Sequence, residues 1–321
     1  MTRLGRRVIA FLLPLLLVGG FMELTLARYP NSHRVKRERL AALADEIDTL
    51  ILGSSSAFSD VVPSHLEGSA FNLANVNQTL YYDDRLLTKV LPTLPRLKRV
   101  VMVVEYPSLF RQFRRGVIED WRQYLYAQEW NIPPRVAAER WDLRIWSRLA
   151  LAWPPFPWTA LSGGWEAWET GVAPAIVPEI DPRGWEKLPG TGDMTDRRAE
   201  STLARHHEEM LESNLADNVG YVEHMFSLIQ QRRIEGILMT VPVWATYRAG
   251  MKRDVWSRAV GIYRQLARDH GTRYLCFLEM PLDAKDFRNP DHLNELGAVR
   301  FSDALNRSLT SAAGADQCGT R

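Results

Sequence analysis

The chain has 321 residues, is 46% hydrophobic and 24% charged, and carries a formal net charge of +2. This suits one large globular domain or two small ones, and the near-neutral balance excludes nucleic-acid binding by bulk electrostatics. Two cysteines exclude a disulfide-dense scaffold and give no metal-ligand spacing. Cys276, in the apolar run "RYLCFL", reads as a small core residue, and Cys318 lies in a polar tail, so neither reports a compartment.

The N-terminus places Arg3, Arg6 and Arg7 before an apolar stretch from Val8 to Ala27 whose single charge is Glu23. About 20 such residues suffice to cross a bilayer. A basic region before an apolar one also describes a signal peptide, but Thr25-Leu26-Ala27 is a poor cleavage site. The expectation is an uncleaved inner-membrane anchor over 1–28, with residues 29–321 on the periplasmic side.

Residues 34–46 read as a helix, followed by a strand at Thr49–Leu52 that ends on Gly53. A short strand is expected around Ala70–Leu73, and a helix over "QTLYYDDRLLTKVLPTLP" that stops at its prolines. Arg99 to Glu105 is a near-continuous Val/Met run, as in a strand buried on both faces of a parallel sheet. Residues 111–195 differ: nine of the 11 tryptophans fall between Trp121 and Trp185, along with "WPPFPW". This stretch reads as an insertion of helices and loops. Its aromatic residues suit internal packing, a platform for sugars or headgroups, or anchoring at a membrane boundary. Alternation then resumes with a long helix over about Ser201–Arg233, a strand at Gly236–Val241, a helix at Asp254–Arg268, a strand at Arg273–Leu278 and a helix from about Asn294 to Ser308. Strands alternating with helices predict an α/β fold with a doubly wound parallel sheet, whose sites lie beyond the carboxyl ends of the strands.

Two segments lie at that edge: "GSSS" after the first strand, and "EMPLDAKDFRNPDHLNELGA" after the last. A serine hydroxyl is a weak nucleophile and needs a neighbouring base, which histidine supplies near neutral pH. Of the seven histidines, His292 stands in a polar loop between Asp291 and Asn294. His206, His207 and His224 read as helix-face residues, and His33, His65 and His270 as surface positions. A hydroxyl-capped turn explains the serines without chemistry, and Pro290, Asp291 and Asn294 form a good helix start. The sequence contains no phosphate loop with a lysine, no dinucleotide fingerprint and no Cys/His cluster, so chemistry without metal or cofactor is expected.

The blocks "MELTLARYPN", "ILGSSSAF", "AFNLANVNQTLYYD", "VVMVVEYPSLF", "VPVWATYR" and "DFRNPDHLNELGAVRFSDALN" occur in order along nearly the whole chain. Together they resemble membrane-anchored bacterial members of the SGNH (GDSL-like) hydrolase superfamily. The resemblance implies a flavodoxin-like form of the sheet, with Ser55 as nucleophile and His292 as general base. It places Ser54 where the family usually has aspartate, and Asn289 where the aspartate partner of the histidine usually stands. Asn289, Asp291 or Asp286 is then left to orient His292. The oxyanion position of the second block falls on Ala74, with an amide from Asn75, Asn77 or Gln78. The family's Gly-x-Asn-Asp block is missing: the third strand ends "VVEYPS".

The resemblance implies a serine esterase or O-acyltransferase acting on an ester of an envelope carbohydrate or glycolipid. The other reading is a catalytically impaired relative that binds polysaccharide or an envelope assembly partner. The bilayer is expected as a partner through the N-terminal helix, and nucleic acid is not.

Overall fold

The computed structural model describes residues 2–28, 30–114, 119–152, 179–311 and 318. The helices are α1 (Arg3–Arg28), α2 (Ser32–Ala42), α3 (Ser55–Asp60), α4 (Leu80–Val90), α5 (Arg122–Trp130), α6 (Arg148–Ala152), α7 (Asp196–Glu209), α8 (Leu215–Gln231), α9 (Ala245–Gly250), α10 (Arg253–Asp269) and α11 (Glu295–Thr310). The strands are β1 (Thr49–Leu52), β2 (Ala70–Asn72), β3 (Arg99–Val103), β4 (Glu235–Thr240), β5 (Arg273–Cys276), β6 (Phe287–Asn289) and β7 (His292–Leu293). The chain divides into two compact units, one of residues 1–35 and 121–178, the other of residues 36–120 and 179–321.

The larger unit is built on a five-stranded sheet in the order β2-β1-β3-β4-β5. Every neighbouring pair is parallel, with Leu50 opposite Phe71 and Val100, and Val101 opposite Ile237. This is the doubly wound, flavodoxin-like order. All four residues of β1 are buried, as are the last four of β3 and the last five of β4. Continuous burial explains why these strands read as apolar runs rather than alternating ones. Helix α10 shows the complementary pattern: Trp256, Ala259, Val260, Tyr263, Leu266 and Ala267 are buried at helical spacing. Helix α11 starts at Asn294, whose side chain accepts from Leu296 N (3.0 Å) and Gly297 N (3.1 Å).

Three expectations are corrected. The helix expected over Ser201–Arg233 is two helices, because Leu211 N donates to Phe110 O (2.9 Å) and draws the chain out of the helix between them. Cys276 and Cys318 are not independent: they form a disulfide, with Cα atoms 5.4 Å apart. His33 is buried, and its ring meets the edge of Tyr126 at 4.4 Å.

The smaller unit contains α1, α5 and α6. Helix α1 is long and apolar enough to cross a membrane, with a mean hydropathy of 2.1, and most of it is exposed. Glu129, on α5, is buried and paired with Arg34 (3.0 Å) and Arg148 (2.8 Å). The "WPPFPW" segment falls outside the described residues, as do Trp165 and Trp168.

Candidate active site

Strand β1 ends at Gly53, where φ is +139°. A Cβ there would lie 2.8 Å from Ala57 Cβ and 2.9 Å from Val103 Cβ. Only glycine lets the chain turn so sharply from the strand into α3. The Gly53 N–H is held by Asp83 Oδ1 (3.0 Å), which also accepts from Gln78 Nε2 (2.7 Å). Burial pushes the Asp83 carboxyl up to about 7.

The three serines after Gly53 have different fates. Ser54 is buried, and its hydroxyl donates to Glu105 Oε1 at the end of β3. Ser56 is also buried: its N–H donates to the same carboxylate oxygen (3.3 Å) and its hydroxyl to Asp291 O (3.4 Å). Ser55 alone keeps a hydroxyl without a hydrogen-bond partner among the described residues, and it lines a cleft. The cleft lies at the carboxyl edge of the sheet. Glu105 and Tyr106 follow β3, Thr240 and Val241 close β4, and Leu278 follows β5. Such an edge is where sites form in doubly wound sheets.

His292 reaches the same cleft from the β6–β7 hairpin, a pair too short to be read from the sequence. The hairpin is tied to α3, since Leu293 N donates to Asp60 Oδ1 (3.0 Å). His292 Nδ1 lies 3.1 Å from Asn289 Oδ1 and 3.3 Å from Asp291 Oδ1. Nε2 is thus the ring nitrogen left for the cleft. Asp286 does not share this work. It is buried, and both its oxygens accept from Arg300 Nη1 (2.7 and 2.8 Å). The carboxylate beside His292 is therefore Asp291, one residue away, rather than one three residues away.

Burial alone would lower the His292 pKa, but the Asp291 carboxylate, with Asp60 and Glu105 beyond it, raises it to about 9. Burial would raise Asp291, yet the His292 imidazolium, with His206 and Arg205, holds it well below the usual carboxylate range. Asp60 is fully buried and pushed up to about 8 by burial, against the opposing pull of His292.

The four residues expected at the oxyanion position divide. Asn77, in the left-handed region at φ 57°, lines the cleft. Its amide nitrogen donates to Glu119, and its Oδ1 accepts from Arg111 Nη1 (3.4 Å). Ala74 is buried, its N–H donates to Asn72 Oδ1 (3.1 Å), and its carbonyl accepts from Nζ of the buried Lys36. Asn75 is buried and accepts from Val76 N (3.0 Å). Gln78 is buried on Asp83.

The cleft also holds residues that the sequence did not single out as site residues. His206, on α7, is buried, with Nδ1 2.7 Å from the Tyr247 hydroxyl. Burial lowers its pKa to about 4, with the Arg111 and Arg205 guanidinium groups acting in the same direction and Asp291 opposing, so this imidazole is neutral at ordinary pH. Arg205 lines the cleft with no hydrogen-bond or ion-pair partner among the described residues. Neither carries a sequence signal beyond a helical position. Glu105 could have been flagged as a charge ending a buried strand. Among the described residues, no group of three or more His, Cys, Asp or Glu side chains is placed to hold a metal ion.

No protein-family model matches the chain. No curated protein matches it either. Among solved structures, the chain aligns with a GDSL-like lipase from Bacteroides thetaiotaomicron at 11% identity and a TM-score of 0.40, covering 87% of this chain and 98% of that one. It also aligns with the lipase/acylhydrolase from Enterococcus faecalis at 9% identity and a TM-score of 0.39, covering 82% of this chain and 95% of that one.

Proposed function

We propose that the protein is a membrane-anchored serine esterase or O-acyltransferase of the SGNH (GDSL-like) type, acting on an ester of an envelope carbohydrate or glycolipid. One observation carries the reading. Ser55, with its unengaged hydroxyl, and His292, with Nδ1 held by Asn289 and Asp291, line a single cleft at the carboxyl edge of the sheet.

In this reading Ser55 Oγ attacks the ester carbonyl carbon while His292 Nε2 takes the hydroxyl proton. The resulting oxyanion is held by the Ser55 N–H and by Asn77 at the cleft wall. Collapse breaks the bond to the alcohol, which leaves with the proton from His292. Water or a sugar hydroxyl then attacks the acyl-serine, again through His292. Asp291 stabilises the imidazolium, and Asn289 fixes the ring. The unpartnered Ser55 hydroxyl is compatible with this, since catalytic hydrogen bonds often tighten only when substrate binds.

Helix α1 supports the anchor, and the Cys276–Cys318 disulfide supports an oxidising, extracytoplasmic location for the larger unit. An inner-membrane protein facing the periplasm meets both conditions, and envelope biosynthesis enzymes are its natural partners there.

The test is labelling of the full chain in detergent with a serine-directed phosphonate, beside Ser55→Ala, Ser54→Ala and His292→Ala. The expected result is adduct on Ser55, lost in Ser55→Ala, slowed in His292→Ala and kept in Ser54→Ala. A folded wild-type protein that takes no label, while a control hydrolase does, would reject catalysis and leave a binding relative of the fold.

A further inference from the structure

In the smaller unit, three large apolar side chains lie open to solvent within six residues: Trp141 (88% exposed), Leu143 (72%) and Trp146 (77%). Single exposed apolar residues are ordinary, but a cluster marks an interaction surface. The backbone that carries them is fixed from the inner side. Asp142 accepts from Arg144 N (2.9 Å), Arg144 Nη2 (2.7 Å) and the Tyr124 hydroxyl (3.1 Å). Gln128 Nε2 donates to Arg144 O (2.7 Å). Residues 142 and 144 thus turn inward to a polar network, while 141, 143 and 146 turn out. The exposure is built into two consecutive 3-10 turns, Ala137–Trp141 and Leu143–Ile145.

The same segment is fastened to the end of α1. The Glu23 carboxylate accepts from Ser147 Oγ (2.8 Å), Arg148 N (2.6 Å) and Leu149 N (3.1 Å). Glu23 is the single charge between Val8 and Ala27. At about 1.5 Å per residue, the helix from Val8 to Glu23 rises roughly 23 Å, most of a hydrocarbon core of about 30 Å. A charge is costly deeper than the interface, so Glu23 and its three donors mark where α1 leaves the hydrocarbon. Trp146 immediately precedes Ser147 and so sits at that level. Leu143 is one 3-10 turn away, about 6 Å.

We propose that Trp141, Leu143 and Trp146 form a second membrane contact, a foot that inserts among the headgroups of the bilayer that α1 crosses. The inference rests on the reading of α1 as a membrane anchor. The tie through Glu23 to α1, whose apolar surface is exposed, selects lipid as the occupant. Tryptophan favours this boundary because its ring is apolar and its N–H is polar. A helix crossing alone leaves its attached unit free to swing, whereas the foot fixes how the smaller unit meets the surface.

The test places the full chain in phosphatidylcholine vesicles with or without bromine on the upper acyl chain, and compares the wild type with W141F/W146F. The wild-type minus variant fluorescence reports these two tryptophans. It is expected to fall by about half or more in brominated vesicles, because tryptophan rings at the headgroup level lie beside the upper acyl chains. Leu143→Glu, at an exposed position, is expected to weaken the quenching without unfolding the protein. An equal difference signal in plain and brominated vesicles, from protein that floats with the vesicles, overturns the foot while sparing the anchor. Crosslinking between two copies through position 143 with no quenching assigns the surface to self-association and also overturns it. Protein that does not float rejects the anchor, and the foot falls with it.

Discussion

Asp291→Asn tests the chemistry of the cleft most directly. Asp291 Oδ1 is 3.3 Å from His292 Nδ1 and is the largest influence raising the pKa of that imidazole to about 9. With a value of about 9, only about one part in a hundred of His292 is neutral at pH 7. On the proposed mechanism, attack by Ser55 then accelerates about tenfold per pH unit up to about pH 9. Replacing the carboxylate with an amide leaves burial unopposed by its nearest charge, and the imidazole falls to or below its ordinary value of about 6.5. The variant reaches its plateau by about pH 7, but that plateau is lower because the imidazolium formed during attack has lost its counter-charge. The plateau loss is bounded by about 10⁴, the effect of the equivalent change in a serine-protease triad. Asn289 Oδ1, still 3.1 Å from Nδ1, keeps the tautomer. The signature is therefore the pH dependence of the defect, which grows about 10²-fold between pH 7 and pH 9.5. The assay is the rate of phosphonate labelling of Ser55 across pH, with nitrogen chemical shifts of labelled histidine giving the titration independently. A wild-type acid limb near pH 6.5, unmoved by Asp291→Asn, would refute the coupling.

Three further outcomes follow from the geometry. Gly53→Ala places a Cβ 2.8 Å from Ala57 Cβ at φ +139°, so it should cost about 2–4 kcal/mol and abolish labelling; urea unfolding near the wild-type midpoint would contradict this. Asp60 holds its proton in the fold up to about pH 8, whereas unfolded aspartate releases it near about pH 4, so its contribution to stability is present below about pH 4 and lost as pH rises to about 8. Asp60→Asn lacks that loss, and denaturation at pH 5 and pH 8 should show the variant gaining on the wild type at the higher pH; a variant that instead loses ground to the wild type from pH 5 to pH 8 opposes the assignment. The disulfide closes a loop of 42 residues, so Cys276→Ser should destabilise by up to about 4 kcal/mol, read as a lower melting temperature matched by the reduced wild type.

The sheet was legible because its strands are buried on both faces and so appear as apolar runs between helical periods. Thr49–Leu52 has the expected bounds, and Arg99–Val103 is only two residues shorter than expected. The edge strand β2 stops at Asn72, whose N–H turns to Arg183 O (2.8 Å), a partner no local pattern reveals. The serine turn and His292 were legible because small polar motifs followed strands, and the choice of Ser55 within the turn came from the family resemblance. Their surroundings were not, for three physical reasons. The His292 partner is chosen by hairpin geometry, which brings Asp291 within reach and gives Asp286 to Arg300. His206 enters the cleft from a helix whose other residues are ordinary, so periodicity hides it. The two cysteines pair across 42 positions, and spacing alone carries no such information.

The tie between α3 and the β6–β7 hairpin sets the order in which the cleft can exist at all. Ser56 and Asp291 meet across 235 positions, and Val62 N reaches Ser302 Oγ (2.8 Å) across 240. A chain made from its N-terminus presents Ser55 long before the residues that surround it. At about 5–20 residues per second, the serine waits on the order of 10–50 s for His292, its base in the proposed mechanism. During that interval it is an ordinary alcohol. On the proposed mechanism, reactivity arrives with the last elements of the fold, so incomplete chains stay chemically silent.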